Sequence, residues 1–351
     1  MTRQETIIKN LQDGIVMPAM PLALNEDRTF NEKRQRLLVN YYMNAGVGGL
    51  AVGVHTTQFA IRDPKINLYE TVLKVCVSQI EQFEKETNKT IFKCAGVCGE
   101  TEQAVKEAKL AKSYGYDAVL LSPGGLQKFD EDYMLERAKR VADVLPVVGF
   151  YLQPVAGGRL FTYNFWRQFA EIENVIAIKS APFNRYQTLD VMRAVASSSR
   201  YDKIALYTGN DDNIVIDLLT KYSFNVNGEI RTVRCVGGLL GHWCVWTKKV
   251  VEMLEMLKQF RDYEYIPSSL LSLAVEVTDA NAAFFDTANN FKGCIAGVHE
   301  VLKRQGLMEG IWCLDPEETL SPGQSEEIDR IYKMYPHLND DDFVKENISK
   351  W

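Results

Sequence analysis

Asn174-Val175-Ile176-Ala177-Ile178-Lys179 is the stretch whose reading decides the fold. Four apolar residues follow one another without the polar alternation of a half-exposed strand, and an amphipathic helical pattern, Tyr163–Ile172, precedes them. Continuous apolar strands set between helices signal a parallel sheet covered on both faces. Working outward, seven further runs repeat the pattern: Ile15–Met20, Gly49–Val52, Phe92–Val97, Ala118–Leu121, Pro146–Tyr151, Ile204–Tyr207 and Val233–Val236. Helical patterns such as Glu102–Ser113, Glu131–Val144 and Asn213–Tyr222 lie between them. Eight strands alternating with helices match an α/β fold of the (β/α)8 TIM-barrel type, which takes about 250 residues.

An open doubly wound sheet is the rival. Gly46-Val47-Gly48-Gly49-Leu50-Ala51 fits a dinucleotide-binding pattern on paper. It precedes a strand, however, so its glycines cannot place a helix N-terminus on a pyrophosphate, and a helix stop is the better reading. From Val250 the alternation ends and helical patterns take over at Val250–Tyr263, Ser268–Asn290, Cys294–Gln305 and Gln324–Met334. The expected organisation is a catalytic barrel over 1–249 and a C-terminal helical subdomain with its tail over 250–351. Asp340-Asp341-Asp342 reads as a solvated charge run, with Trp351 as an anchor of the tail.

The net charge of −6 and the scattered Lys and Arg oppose nucleic-acid binding, which needs clustered cations. No apolar run approaches the ~20 residues of a membrane helix. Seven cysteines, an odd number without a visible signal pattern, read as reduced thiols in a cytoplasmic protein. Cys94 and Cys98 lie on one strand face as core residues, and no further ligands at metal-site spacing accompany them, so no metal is expected.

Active sites of (β/α)8 barrels lie at the C-terminal ends of the strands. Lys179 closes the sixth run there, and two readings fit its position. In one, the apolar mouth disfavours the ammonium and makes a neutral, nucleophilic amine accessible, as imine formation requires. In the other, the side chain simply reaches out to solvent. Tyr151 closes the fifth run, where a phenol can relay protons to a carbinolamine or pack at the rim with its hydroxyl wet.

These residues resemble the dihydrodipicolinate synthase and N-acetylneuraminate lyase superfamily of Schiff-base aldolases, of which the chain reads as a divergent member. The resemblance runs from Gly14 to Glu327 and rests on an ordered series of segments. They are Pro18-Ala19-Met20-Pro21, Ala45-Gly46-Val47-Gly48-Gly49, Gly115-Tyr116-Asp117-Ala118-Val119, Phe150-Tyr151-Leu152-Gln153-Pro154, Asn174–Lys179 and Thr208-Gly209-Asn210-Asp211-Asp212. Tyr151-x-x-Pro154 and Lys179 resemble the family's tyrosine and Schiff-base lysine in type and in their 28-residue spacing. The resemblance implies attack of Lys179 on the ketone of a pyruvate-type 2-oxo acid, with Tyr151 as proton relay. The imine is itself the electron sink, so no cofactor is implied. A homodimer or homotetramer is implied as well.

The departures are specific. Where the family has Gly-Thr-Thr-Gly-Glu, this chain has Gly53-Val54-His55-Thr56-Thr57-Gln58. Carboxylate binding by Thr56, Thr57 and backbone N–H groups of the loop is expected, together with Gly209 at the end of the seventh strand. His55 has no counterpart and reads either as an added acid–base group or as a structural hydrogen-bonding histidine. Ser122-Pro123-Gly124-Gly125-Leu126 lacks the synthases' tyrosine, and Ala156 stands where they place an arginine, with Arg159 close by. Dihydrodipicolinate synthesis itself is therefore not expected. The readings are a lyase or aldolase of a 2-oxo acid, a dehydratase of a 2-oxo-3-deoxy sugar acid, or a barrel that has lost catalysis and serves as a binding scaffold.

Overall fold

A computed structural model describes residues 1–351. Ten strands are present: β1 (Val16–Pro18), β2 (Gly49–Val52), β3 (Phe92–Val97), β4 (Ala118–Leu121), β5 (Val147–Leu152), β6 (Val175–Ala181), β7 (Ala205–Thr208), β8 (Tyr222–Val226), β9 (Glu229–Val233) and β10 (Cys235–Leu240). The helices begin with α1 (Arg3–Asp13), α2 (Glu32–Ala45), α3 (Tyr69–Thr87), α4 (Thr101–Ser113), α5 (Glu131–Ala142), α6 (Tyr163–Phe169), α7 (Arg185–Ala196) and α8 (Ile214–Leu219). Five more follow: α9 (Thr247–Phe260), α10 (Ser269–Phe284), α11 (Cys294–Arg304), α12 (Gln324–Met334) and α13 (Asp341–Asn347). Strands β1 to β7 and β10 are the eight strands of the expected (β/α)8 barrel. No helix is long and apolar enough to cross a membrane.

Two compact units are distinguished. The first comprises Met1–Ile15 and Phe92–Leu239, the second Val16–Ile91 and Leu240–Trp351. The expected boundary at 249/250 falls inside α9.

In the first unit β3, β4, β5, β6, β7 and β10 lie side by side and parallel. Every residue of β3, β4, β5 and β7 is buried, which is why these segments read as near-continuous apolar runs, with Lys93 and Thr208 the polar residues among them. An interior tyrosine fastens α1: the Tyr207 hydroxyl donates to Leu11 O (2.9 Å) and accepts from Ile15 N (3.2 Å). Gly14, which ends α1 at φ +93°, has to be glycine, since a Cβ there would stand 1.8 Å from Val236 O.

The last expected barrel strand, Val233–Val236, is corrected. Its first residue ends an antiparallel hairpin, β8–β9, and only Cys235 and Val236 begin the true strand β10. The helix expected over Asn213–Tyr222 stops at Leu219, because Tyr222 opens that hairpin. Asn227-Gly228, both at positive φ, makes the turn, as Asn-Gly does in two-residue hairpins.

In the second unit Met20 N donates to Ala51 O (2.8 Å) and Gly48 N to Val16 O (3.1 Å), tying β1 to β2. Gly46 ends α2 in the left-handed region at φ +100°, the helix stop expected of it. Asp340 is not part of a solvated run. It is 2% exposed and accepts from the Tyr41 hydroxyl (2.8 Å), Lys248 N (2.9 Å) and Gln305 Nε2 (2.7 Å). Trp351 packs against Tyr41 (5.8 Å between ring centroids) and Phe343 (5.6 Å).

Candidate active site

Strand β6 carries Lys179 with Phe150 beside it on β5 and Tyr207 beside it on β7. Residues in register on neighbouring strands share a face, so these three side chains lie on one face of the sheet. Lys179 is 7% exposed, and its Nζ stands 4.3 Å from the centroid of the Phe150 ring. An aromatic face holds a cation weakly and without accepting a directed hydrogen bond.

Gly209 touches the lysine directly. A Cβ on it would lie 2.4 Å from Lys179 Cε, 2.9 Å from Cγ and 2.7 Å from Ala181 Cβ. Its N–H donates to Ser180 O (2.8 Å). The observed contact of Gly209 is therefore with the stem of Lys179, which it lets lie flat against the end of β7.

Tyr151 is on the other face. Its register partner is Ser180, one residue past Lys179. The ring is fully buried against Trp166 (5.3 Å) and Phe161 (5.8 Å). Phe161 N donates to the phenol oxygen (3.2 Å), and the hydroxyl lies 3.4 Å from Phe161 O. Burial pushes this phenol above its ordinary value near 10. The expected meeting of Tyr151 with Lys179 is thus corrected, and Phe150 takes that place. The 28-residue spacing locates two adjacent strands but not their faces, and a shift of one residue exchanges the faces.

His55, Thr56 and Thr57 lie together in the second unit, in a single 3₁₀ turn after β2. The Thr56 hydroxyl donates to Ala19 O (2.5 Å). The Thr57 hydroxyl donates to Met20 O (2.6 Å) and accepts from Gly53 N (3.0 Å) and Val54 N (3.2 Å). Both threonines are buried, and both hydroxyls are spent on shaping the loop and holding it to the segment after β1. That departs from the expected carboxylate-binding role of the hydroxyls. His55 is half-buried, with Phe59 edge-on at 6.2 Å.

The loops after β4 and β5 are zipped together within the first unit. Gln127 Nε2 donates to Gly157 O (2.8 Å) and Gly158 O (3.1 Å). Arg159 donates from one guanidinium nitrogen to Leu126 O (3.3 Å) and Phe129 O (2.5 Å). That nitrogen is engaged with backbone rather than presented as a simple replacement for the arginine missing at Ala156.

Two residues escaped the sequence reading. Phe150 looked like ordinary strand core, and only the register singles it out. Asp217 left a signal, a lone carboxylate inside the apolar run Ile214-Val215-Ile216-Asp217-Leu218-Leu219. Such residues are almost never fully buried unless they have partners.

The model of the dihydrodipicolinate synthetase family matches residues 13–225. The 4-hydroxy-tetrahydrodipicolinate synthase of Clostridium novyi (strain NT) is 31% identical over 193 residues, 54% of this chain and 60% of that protein. The chain thus spans 60% of that relative's length. The structure of dihydrodipicolinate synthase from Oceanobacillus iheyensis superposes with a TM-score of 0.75 at 16% identity, covering 96% of this chain and 100% of the other. That of N-acetylneuraminate lyase from Fusobacterium nucleatum complexed with pyruvate gives 0.70 at 17% identity, covering 93% and 98%. At these identities the structural likeness bears on the fold.

Proposed function

This chain belongs to the dihydrodipicolinate synthetase family, and from that premise we propose that it is a lyase of 2-oxo acids working through a Schiff base on Lys179. The carrying observation is the setting of that lysine: 7% exposed, two residues before the C-terminal end of β6, its stem on Gly209 and its Nζ over the Phe150 ring. The pyruvate complex of the Fusobacterium lyase supports a pyruvate-type substrate.

The chemistry balances without a further reagent. The neutral Nζ attacks C2 of the 2-oxo acid, and the carbonyl oxygen takes a proton to give a carbinolamine. Loss of water leaves a protonated imine. When the C3–C4 bond breaks, its electron pair moves into the imine, giving an enamine, while the C4 hydroxyl loses its proton and an aldehyde departs. Protonation at C3 and hydrolysis then release pyruvate and restore the amine. The Tyr151 hydroxyl is committed to the backbone of Phe161, so the proton transfers are not assigned to it.

A second reading, a barrel that has lost catalysis and only binds its ligand, is favoured by one observation, the Tyr151 hydroxyl turned to Phe161. Incubation with a panel of 4-hydroxy-2-oxo acids, followed by assay of released pyruvate, separates the two. The lyase reading predicts release by the wild type and none by Lys179→Ala. Release that survives Lys179→Ala, or none from any member of the panel, would overturn it.

A further inference from the structure

We propose that Asp217 is a positioning residue for Lys179, acting through Thr208, Gly209 and Asn210; this rests on the reading of Lys179 as the nucleophile. Asp217 is fully buried in α8, and four side chains from three elements donate to it. One carboxylate oxygen accepts from Thr208 Oγ1 (2.7 Å) and Asn210 Nδ2 (2.9 Å). The other accepts from Asn213 Nδ2 (2.9 Å) and from the Arg185 guanidinium.

Thr208 and Asn210 are the two neighbours of Gly209. Anchoring both to one carboxylate fixes the glycine between them, and its N–H is tied to Ser180 O (2.8 Å). Asn210 carries the restraint to the neighbouring strand end. Its Nδ2 faces Asp217 and Thr188 Oγ1 (3.2 Å), so its Oδ1 is left to accept from Phe183 N (3.0 Å), two residues past Ala181. The ends of β6 and β7 are thereby locked to one carboxylate. Gly209 and Ala181 crowd the lysine stem, with a Gly209 Cβ position 2.4 Å from Cε and 2.7 Å from the Ala181 Cβ. A shift of Gly209 toward the lysine therefore presses on the stem that carries Nζ. Displacements of about 1 Å can cost on the order of 100-fold in rate.

The site calls for a carboxylate. All four partners are donors in this arrangement, and an amide of the same size offers one acceptor oxygen while turning two N–H groups against donors.

The test is the rate of imine formation with saturating pyruvate, read by rapid mixing and borohydride quench. The proteins are the wild type, Asp217→Asn, Gly209→Ala, their double variant and Thr208→Val, which removes one donor and keeps the shape. Asp217→Asn and Gly209→Ala are expected to slow the reaction about tenfold or more, with half-saturating pyruvate held within about twofold. The double variant is expected to be no slower than the worse single one, because both act along one path. Thr208→Val is expected to slow it several-fold, and it decides the matter if Asp217→Asn does not fold. Wild-type rates in Asp217→Asn or Thr208→Val, or a double variant slowed by the product of the single effects, would overturn the proposal. Absence of any trapped imine in the wild type would instead overturn the nucleophile reading beneath it.

Discussion

At the scale of single residues, the lysine and its neighbours separate chemistry from support. Lys179 stands against an aromatic face and a glycine, and the tyrosine that spacing assigned to it serves the outer layer of the barrel instead. Removing the phenol should therefore affect stability more than chemistry. Tyr151→Phe strips Phe161 N of its acceptor, and a buried donor left unsatisfied costs about 2 kcal/mol. The expected outcome is a lowered thermal midpoint with pyruvate imine formation within about twofold of wild type. Imine formation lost in a folded Tyr151→Phe protein would restore the relay role. The sequence made the lysine legible because one charge ends an apolar run. It could not separate Phe150 from Tyr151, since both are aromatic strand residues and only the register distinguishes their faces.

Among the elements, the loop after β2 has a single keystone. The Thr57 hydroxyl takes two backbone N–H groups and gives its proton to Met20 O, so one side chain sets the path of the chain from Gly53. Thr57→Val keeps the shape and orphans those groups. It should cost about 2–3 kcal/mol, measurable in denaturant unfolding, while Thr56→Val, which removes one donor but no acceptor for backbone N–H groups, should cost less. The Thr-Thr pair was visible in the sequence, but its orientation was not. A threonine that binds a ligand and one that binds its own backbone look alike until the loop is folded. The strands show the same division. β2 and β4 fall on their predicted residues because apolar runs bounded by Gly48 and Gly53, or by Asp117 and Ser122, have little freedom of placement, and β3 does so despite Lys93 within it. The β8–β9 hairpin was missed although Asn227-Gly228 signals it, because its alternating pattern lies beyond a helix that was read three residues too long.

Across the whole molecule, enclosure of ionisable groups sets a pH dependence. Burial pushes His242 and His299 down to about 4. Both are neutral in the folded chain, whereas the unfolded chain binds their protons below about 6.5. The unfolded state thus holds more protons between those values, and stability falls as the pH drops from 6.5 toward 4. At pH 5 the loss is about 2 kcal/mol for each histidine. Thermal unfolding followed between pH 7 and 5 should show this decline, flattened in His242→Gln/His299→Gln; an unchanged slope in that variant would assign the effect elsewhere. At this scale the barrel was readable from alternation alone, because eight apolar runs between helices admit few folds. The hub at Asp340 was not, since three consecutive aspartates look solvated until Tyr41, Lys248 and Gln305 are brought to the first of them.

As the proposed nucleophile, Lys179 has to form the covalent link to a 2-oxo acid. The most direct measurement is borohydride reduction of the protein with pyruvate, followed by peptide mass mapping. A reduced pyruvate adduct confined to the peptide bearing Lys179, and missing from Lys179→Ala, is the predicted result. An adduct on another lysine, or no adduct in a folded protein across a panel of 2-oxo acids, would contradict it.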